Sequence, residues 1–212
     1  MNVLETERLT LRWLTAEDAS FILVLLNDPG WLRFIGDRGV RTVEDAGNYI
    51  LNGPAAMVER LGFGLYLTER KIDGEPIGIC GLIKRDGLDD VDIGFAFLPQ
   101  FCGCGYAFEA ALAVMDLGKS RFGLDRIVGI TATDNVTSIK LLEKIGMKYE
   151  RTLQLPKIEA GSLLFGWDAD DEGKCKTPAL ARISRCFLPG KSANAGVWSK
   201  TLRASDVKTE VQ

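Results

Sequence analysis

Asp92 to Ala107 reads DIGFAFLPQFCGCGYA, and no other stretch constrains the fold of this chain as tightly. Ile93, Phe95 and Phe97 alternate with smaller residues, the period of a strand. Pro99 closes the run, Gly103 and Gly105 follow one residue apart, and Tyr106 to Phe122 then carries helical spacing. A strand therefore feeds a glycine-rich turn, and the turn opens a helix. Glycine tolerates positive φ and close approach of backbone to a ligand, while the first N–H groups of a helix lack internal partners. With the helix dipole, those N–H groups form an anion site suited to a phosphate or pyrophosphate. The plain alternative is a strand–helix turn whose glycines serve packing alone.

Two familiar phosphate loops do not fit. A nucleoside-triphosphate loop ends in Gly-Lys-Ser/Thr, and nothing of that kind follows Gly105. A dinucleotide fingerprint needs a third glycine where Phe108 stands. The second half of the pattern is Arg126 to Thr133, RIVGITAT, which reads as a buried strand. After it come Asp134-Asn135-Val136-Thr137-Ser138 and then IKLLEKIGMKYE. Asn135 suits an N-cap, Ile139, Leu142 and Ile145 form an apolar stripe, and Gly146 marks the stop. Capping alone is a sufficient reason for Asn135.

Gln100-x-x-Gly103-x-Gly105-Tyr106-Ala107, followed by Asn135-x-x-Ser138-x-x-Leu141-Leu142-Glu143-Lys144-x-Gly146, resembles the GNAT superfamily of acetyl-CoA-dependent N-acetyltransferases. The opening Glu5-Thr6-Glu7-Arg8-Leu9-Thr10-Leu11-Arg12 is similar to the start of its ribosomal-protein-alanine (Rim-type) branch. The likeness covers residues 5–168 and says little about the acceptor. It implies a three-layer α/β/α acyl-CoA N-acyltransferase fold with acetyl-CoA as cosubstrate. By that resemblance the strand edge Phe95, Ala96, Phe97 and Leu98 would bond the amides of the pantetheine arm, as an added strand would. A backbone N–H there would polarise the thioester carbonyl and stabilise an oxyanion. Gln100, Phe101, Cys102, Gly103, Cys104, Gly105, Tyr106 and Ala107 would surround the pyrophosphate, and Asn135 and Ser138 would reach the cofactor arm.

The chain departs from the family pattern at two places. The position of a frequent tyrosine general acid holds Leu142, which leaves water, Ser138 or another group such as Tyr149 to protonate the leaving thiolate. Positions 102 and 104, often Trp and Lys or Arg in the branch, are both Cys here. Losing an aromatic contact and a cation beside the phosphates predicts weakened rather than abolished cofactor affinity.

An attacking alkylamine has a pKa of about 10 and must lose a proton. The chain has no histidine, so a carboxylate acting directly or through water is the expected base. Asp92 matches the family's strand glutamate and lies on the face opposite Ile93. A solvated aspartate within Asp89-Asp90-x-Asp92 explains it as well. For the acceptor, Trp31, Phe34 and Ile35 are candidates to line a pocket, with Arg33, Asp37 and Arg38 at its rim. Core packing accounts equally for the aromatics. A protein N-terminus, an amino acid, a polyamine and a drug all remain open as the amine.

Net charge −3 and a pI near 5.2 offer no general affinity for nucleic acid. No stretch approaches the roughly 18 apolar residues of a membrane span. MNVLETERL lacks the cationic start and apolar core of a secretory signal, which makes the cytoplasm the expected location. Five cysteines without paired CxxC spacing predict no metal site and reduced thiols, with Cys104 a reactive alternative.

Along the chain, strands are expected at Leu9 to Trp13, Phe63 to Arg70, Pro76 to Lys84, Val91 to Leu98, Arg126 to Thr133, Met147 to Leu155 and Ser162 to Trp167. Helices are expected at Ala19 to Asn27, ended by Asp28-Pro29-Gly30, at Thr42 toward Leu61 with a break at Asn52-Gly53-Pro54, at Gly105 to Phe122 and at Asn135 to Lys144. The result is an α+β domain over 1–168 with a mixed, mostly antiparallel sheet, followed by an extra C-terminal tail over 169–212. Monomer and homodimer are both open. Two other functions compete with the enzyme: an acyl-CoA sensor on the same fold without turnover, and a nucleotide binder of another fold.

Overall fold

In the computed structural model, residues 2–154 and 161–169 are described. Eight strands form one sheet: β1 (Asn2–Glu5), β2 (Leu9–Trp13), β3 (Leu65–Arg70), β4 (Pro76–Ile83), β5 (Val91–Phe97), β6 (Arg126–Ala132), β7 (Lys148–Leu153) and β8 (Ser162–Asp168). Their order is β1-β2-β3-β4-β5-β6-β8-β7. Every neighbouring pair is antiparallel except β5 and β6. The α+β class and the mixed, mostly antiparallel sheet expected from the sequence are the ones observed.

The helices are α1 (Ala19–Leu26), α2 (Pro29–Phe34), α3 (Val43–Ile50), α4 (Ala56–Leu61), α5 (Tyr106–Phe122) and α6 (Val136–Lys144). A π-helical turn, Leu51–Ala55, joins α3 to α4 and contains Pro54, where the sequence predicted a break. Two elements differ from expectation. The strand β1 pairs with β2, although its four residues carry no bounded alternation. Asp28-Pro29-Gly30 ends one helix and also begins the next. The Asp28 carboxylate accepts from the Gly30 N–H, and Pro29 takes the first helical position, where its missing N–H costs nothing.

Strand alternation distributes the helices between two faces. A Cβ on Gly118 of α5 would meet Ile127 and Leu82 side chains at 2.9 and 3.3 Å, and one on Gly129 of β6 would meet Leu142 of α6 at 2.7 Å. These contacts put α5 and α6 on the Leu82 face, at glycines that permit close approach. Ile79 and Ile83, which share the face of β4 opposite Leu82, line a cavity with Leu25 of α1, Trp31 and Phe34 of α2, and Tyr49 of α3. The result is a three-layer sandwich. Of the tail expected over 169–212 all but Ala169 lies outside the described residues, as does the end of the predicted strand at Leu155.

Candidate active site

The site begins where β5 and β6 part. They are in register only at Val91–Ile127 and Asp92–Val128. Beyond Asp92 the β6-facing side of β5 has no strand partner. The Leu98 N–H bonds to the Ile77 carbonyl at 3.0 Å, so by the antiparallel alternation Phe95 and Phe97 turn their N–H and C=O groups toward that open side. Among the described residues the Phe97 carbonyl accepts only a weak bond from the Cys102 thiol at 3.9 Å, so this edge is open to a partner such as a chain of amides.

The turn after β5 is built as the glycine spacing predicts. Gly103 and Gly105 have φ of 79° and 82°, and Gly105 caps α5 in the left-handed region. The first N–H groups of α5 have no helical acceptor. A cation reaches the turn from a distant part of the chain, where Arg8 donates to the Cys104 carbonyl at 3.0 Å and lies 4.6 Å over the Tyr106 ring. Glu109 anchors it through the Arg8 Nε at 2.6 Å. Burial opposes ionisation of Glu109, but bonds from Thr6 and Arg8 outweigh it and hold the carboxyl below the usual range. Arg8 thus brings a guanidinium to the turn in which position 104 is Cys.

A cavity of about 580 Å³ runs from this turn to the α1–α3 layer. Phe95, Ala96, Phe97, Cys102, Ala107, Asn135 and Ser138 line it, as do Trp31 and Phe34. The Asn135 side chain accepts from the Ser138 N–H at 3.1 Å, so Asn135 caps α6 and also faces the cavity.

Other predicted residues lie elsewhere. Leu98 and Phe101 are buried in the core, and Phe101 sits under Arg70 at 4.9 Å. Gln100, Gly103, Cys104, Gly105 and Tyr106 belong to the turn and its rim rather than to the cavity wall. Arg33 is drawn out to Asp134 at 2.8 Å, bridging α2 to the loop before α6. Asp37 pairs with Arg41. The Leu142 position is 1% exposed and packed in the core, while Leu141 faces the cavity. Tyr149 is 55% exposed on β7 and does not reach the site.

Asp92 is fully buried, which removes the solvated reading. Its register partner Ile83 places it on the face covered by α1–α3, opposite Ile93. Oδ2 accepts from Arg85 Nε, and Oδ1 has no partner among the described residues. Burial pushes its pKa up to about 6, against the pull of Arg85 and the Ile130 amide. Asp92 itself is not part of the cavity wall; Arg85 is. Arg85, Tyr49, Thr131 and Thr137 were not singled out from the sequence. Arg85 sits in Lys84-Arg85-Asp86-Gly87, a run that reads as a solvated hairpin. Cys102 has its thiol pushed up by partial burial and by nearby Asp28, so it is no activated nucleophile.

A family model described as an acetyltransferase (GNAT) domain matches residues 8–148. The chain belongs to the GNAT acetyltransferases. As a member it is an acyltransferase that uses acetyl-CoA as cosubstrate. The uncharacterised N-acetyltransferase YoaA of Bacillus subtilis is 31% identical over 153 residues, covering 72% of this chain and 86% of YoaA. Two solved structures share the fold. RimL, a ribosomal L7/L12 α-N-protein acetyltransferase in complex with coenzyme A, superposes with TM-score 0.70 at 17% identity, covering 80% and 99% of the two chains. The aminoglycoside acetyltransferase AAC(6')-Ib with coenzyme A gives 0.63 at 18%, with 80% and 99% covered. At these identities the likeness speaks for the fold alone. Rim-type and drug-modifying neighbours are matched alike, so this GNAT chain is not placed in the Rim-type branch. Among the described residues, no group of His, Cys, Asp and Glu could hold a metal, and no helix could cross a membrane.

Proposed function

We propose that residues 1–168 form the catalytic unit of an N-acetyltransferase that passes an acetyl group from acetyl-CoA to a primary amine, both bound together. The observation that carries this reading is the unpaired β5 edge, which opens into the same cavity as the N-terminal turn of α5. The edge suits a chain of amides, and the turn suits a pyrophosphate. Acetyl-CoA supplies the activated acetyl group. Phe95 and Phe97 would hold its arm through backbone groups, Gly103 to Ala107 its phosphates, and Asn135 and Ser138 the far wall. Asp92 would accept the amine proton through a water at its unpartnered Oδ1, a role favoured by a pKa of about 6 near neutral working pH. Ser138, on the cavity wall, is the candidate proton donor to the departing sulfur.

Isothermal titration with acetyl-CoA, beside ATP and NAD, tests the reading. Micromolar binding of acetyl-CoA alone is expected. Binding of ATP or NAD in its place would favour the nucleotide-binding alternative, and acetyl-CoA binding with no turnover of any amine would favour a sensor.

A further inference from the structure

Three charged residues line the cavity: Asp28, Arg38 and Arg85. Asp28 lies close enough to Cys102 to act on its thiol, and its Oδ1 accepts from the Gly30 N–H at 2.8 Å. Arg38 and Arg85 share the lining with Tyr49, and the charges of both guanidiniums act on its phenol. Among the described residues Arg38 makes no ion pair or hydrogen bond. Arg85 spends only Nε, on Asp92. A guanidinium held by Nε still presents Nη1 and Nη2 as a parallel pair of donors, the geometry that a second carboxylate accepts.

We propose that the acceptor is a small primary amine bearing a carboxylate a few bonds away, an apolar α-amino acid being the simplest case, with Arg85, Arg38 and the Tyr49 hydroxyl holding the carboxylate. This rests on the acetyl-transfer reading above. Trp31, Phe34, Met57 and Ile83 supply an apolar wall for the side chain. Tyr49 stays a hydroxyl donor at neutral pH, because burial raises its pKa against the pull of the two arginines. The same two cations favour the neutral, nucleophilic form of a nearby amine. A polycation such as a polyamine or aminoglycoside would instead meet like charge, and a protein N-terminus has no free carboxylate beside its amine. In the transfer, nitrogen bonds to the acetyl carbon as the C–S bond breaks with its electron pair going to sulfur. The amine proton leaves to the base, and nothing is oxidised or reduced.

The test compares L-phenylalanine and L-methionine with their amides, alongside spermidine, kanamycin and a peptide with an N-terminal alanine, on the full chain. Calorimetric binding in the presence of coenzyme A is measured as well as thiol release from acetyl-CoA. We expect the free acids to show Kd and KM about tenfold or more below the amides. Arg85→Gln and Arg38→Gln should each collapse that acid-to-amide ratio toward one while leaving the Kd for acetyl-CoA unchanged. Arg38 is exposed and makes no ion pair or hydrogen bond among the described residues, so its variant should fold even if Arg85→Gln does not. Equal acid and amide constants, or turnover of spermidine, kanamycin or the peptide in preference to the amino acids, would overturn the proposal while leaving acetyl transfer standing. Failure of acetyl-CoA itself to bind would remove both.

Discussion

Asp92 and Gly81 occupy the facing strands β5 and β4 and carry opposite demands on their surroundings. With its pKa raised from 3.8 to about 6, Asp92 binds a proton more readily in the folded chain than in the unfolded one. Its favourable contribution is therefore complete below about pH 4 and is lost as pH rises through about 6, a change on the order of 3 kcal/mol. Since the chain has no histidine, no imidazole adds to the part of that change nearest pH 6. Asp92→Asn should flatten the stability–pH curve between pH 4 and 7, read by denaturant titration at each pH. It should also lower kcat about a hundredfold and erase the acid-side limb, the rise in rate with pH near 6. An unchanged kcat–pH profile would retire Asp92 as the base. At Gly81, a Cβ would lie 2.0 Å from the Gly64 carbonyl oxygen, a backbone atom that cannot step aside. Gly81→Ala should destabilise the chain by about 3 kcal/mol or more in urea unfolding, with no comparable cost at open Gly87 beyond its backbone strain. Neither demand was legible beforehand. Asp92 was assigned to the correct face by alternation, but its burial depends on Arg85, and a glycine's neighbours across a sheet leave no trace in local pattern.

The strand, turn and helix from Val91 to Phe122 were legible because alternation, a proline, two glycines and a helical stripe all point the same way. The cap at Asn135 was legible for the same reason. By contrast, α2 was hidden by Asp28-Pro29-Gly30, whose residues serve equally as a stop and as a start, and tertiary packing of Trp31 decides between them. The cofactor loop can be probed at Ala107, which faces the cavity from the first turn of α5. Gly105 is a poor choice, because any side chain at φ 82° strains the cap and confuses steric block with misfolding. Ala107→Trp should abolish acetyl-CoA binding in calorimetry while its melting temperature stays near that of the parent. Retained affinity would show that the cofactor does not cross this turn.

At the scale of the molecule, the sheet holds its two halves together through only two residue pairs between β5 and β6, with helices covering each face. A ligand seated in that gap joins the halves, so binding should stabilise the cooperative unit as a whole. At a hundredfold excess over Kd the gain is about 2.7 kcal/mol. Acetyl-CoA should then raise the melting temperature by roughly 5–10 °C in differential scanning calorimetry, whereas ATP and NAD should not. Two separate transitions, only one of them shifted, would mean that the halves melt independently. The gap has a further consequence for solubility. Unpaired strand edges usually lie at the rim of a sheet, where they recruit other chains into aggregates. Here the strand edge at Phe95 and Phe97, without a strand partner, lies mid-sheet between β4 and β6, under helices on both sides. A foreign β-hairpin cannot dock there, while a single slender amide chain can, so the protein keeps an adhesive edge that is selective by width.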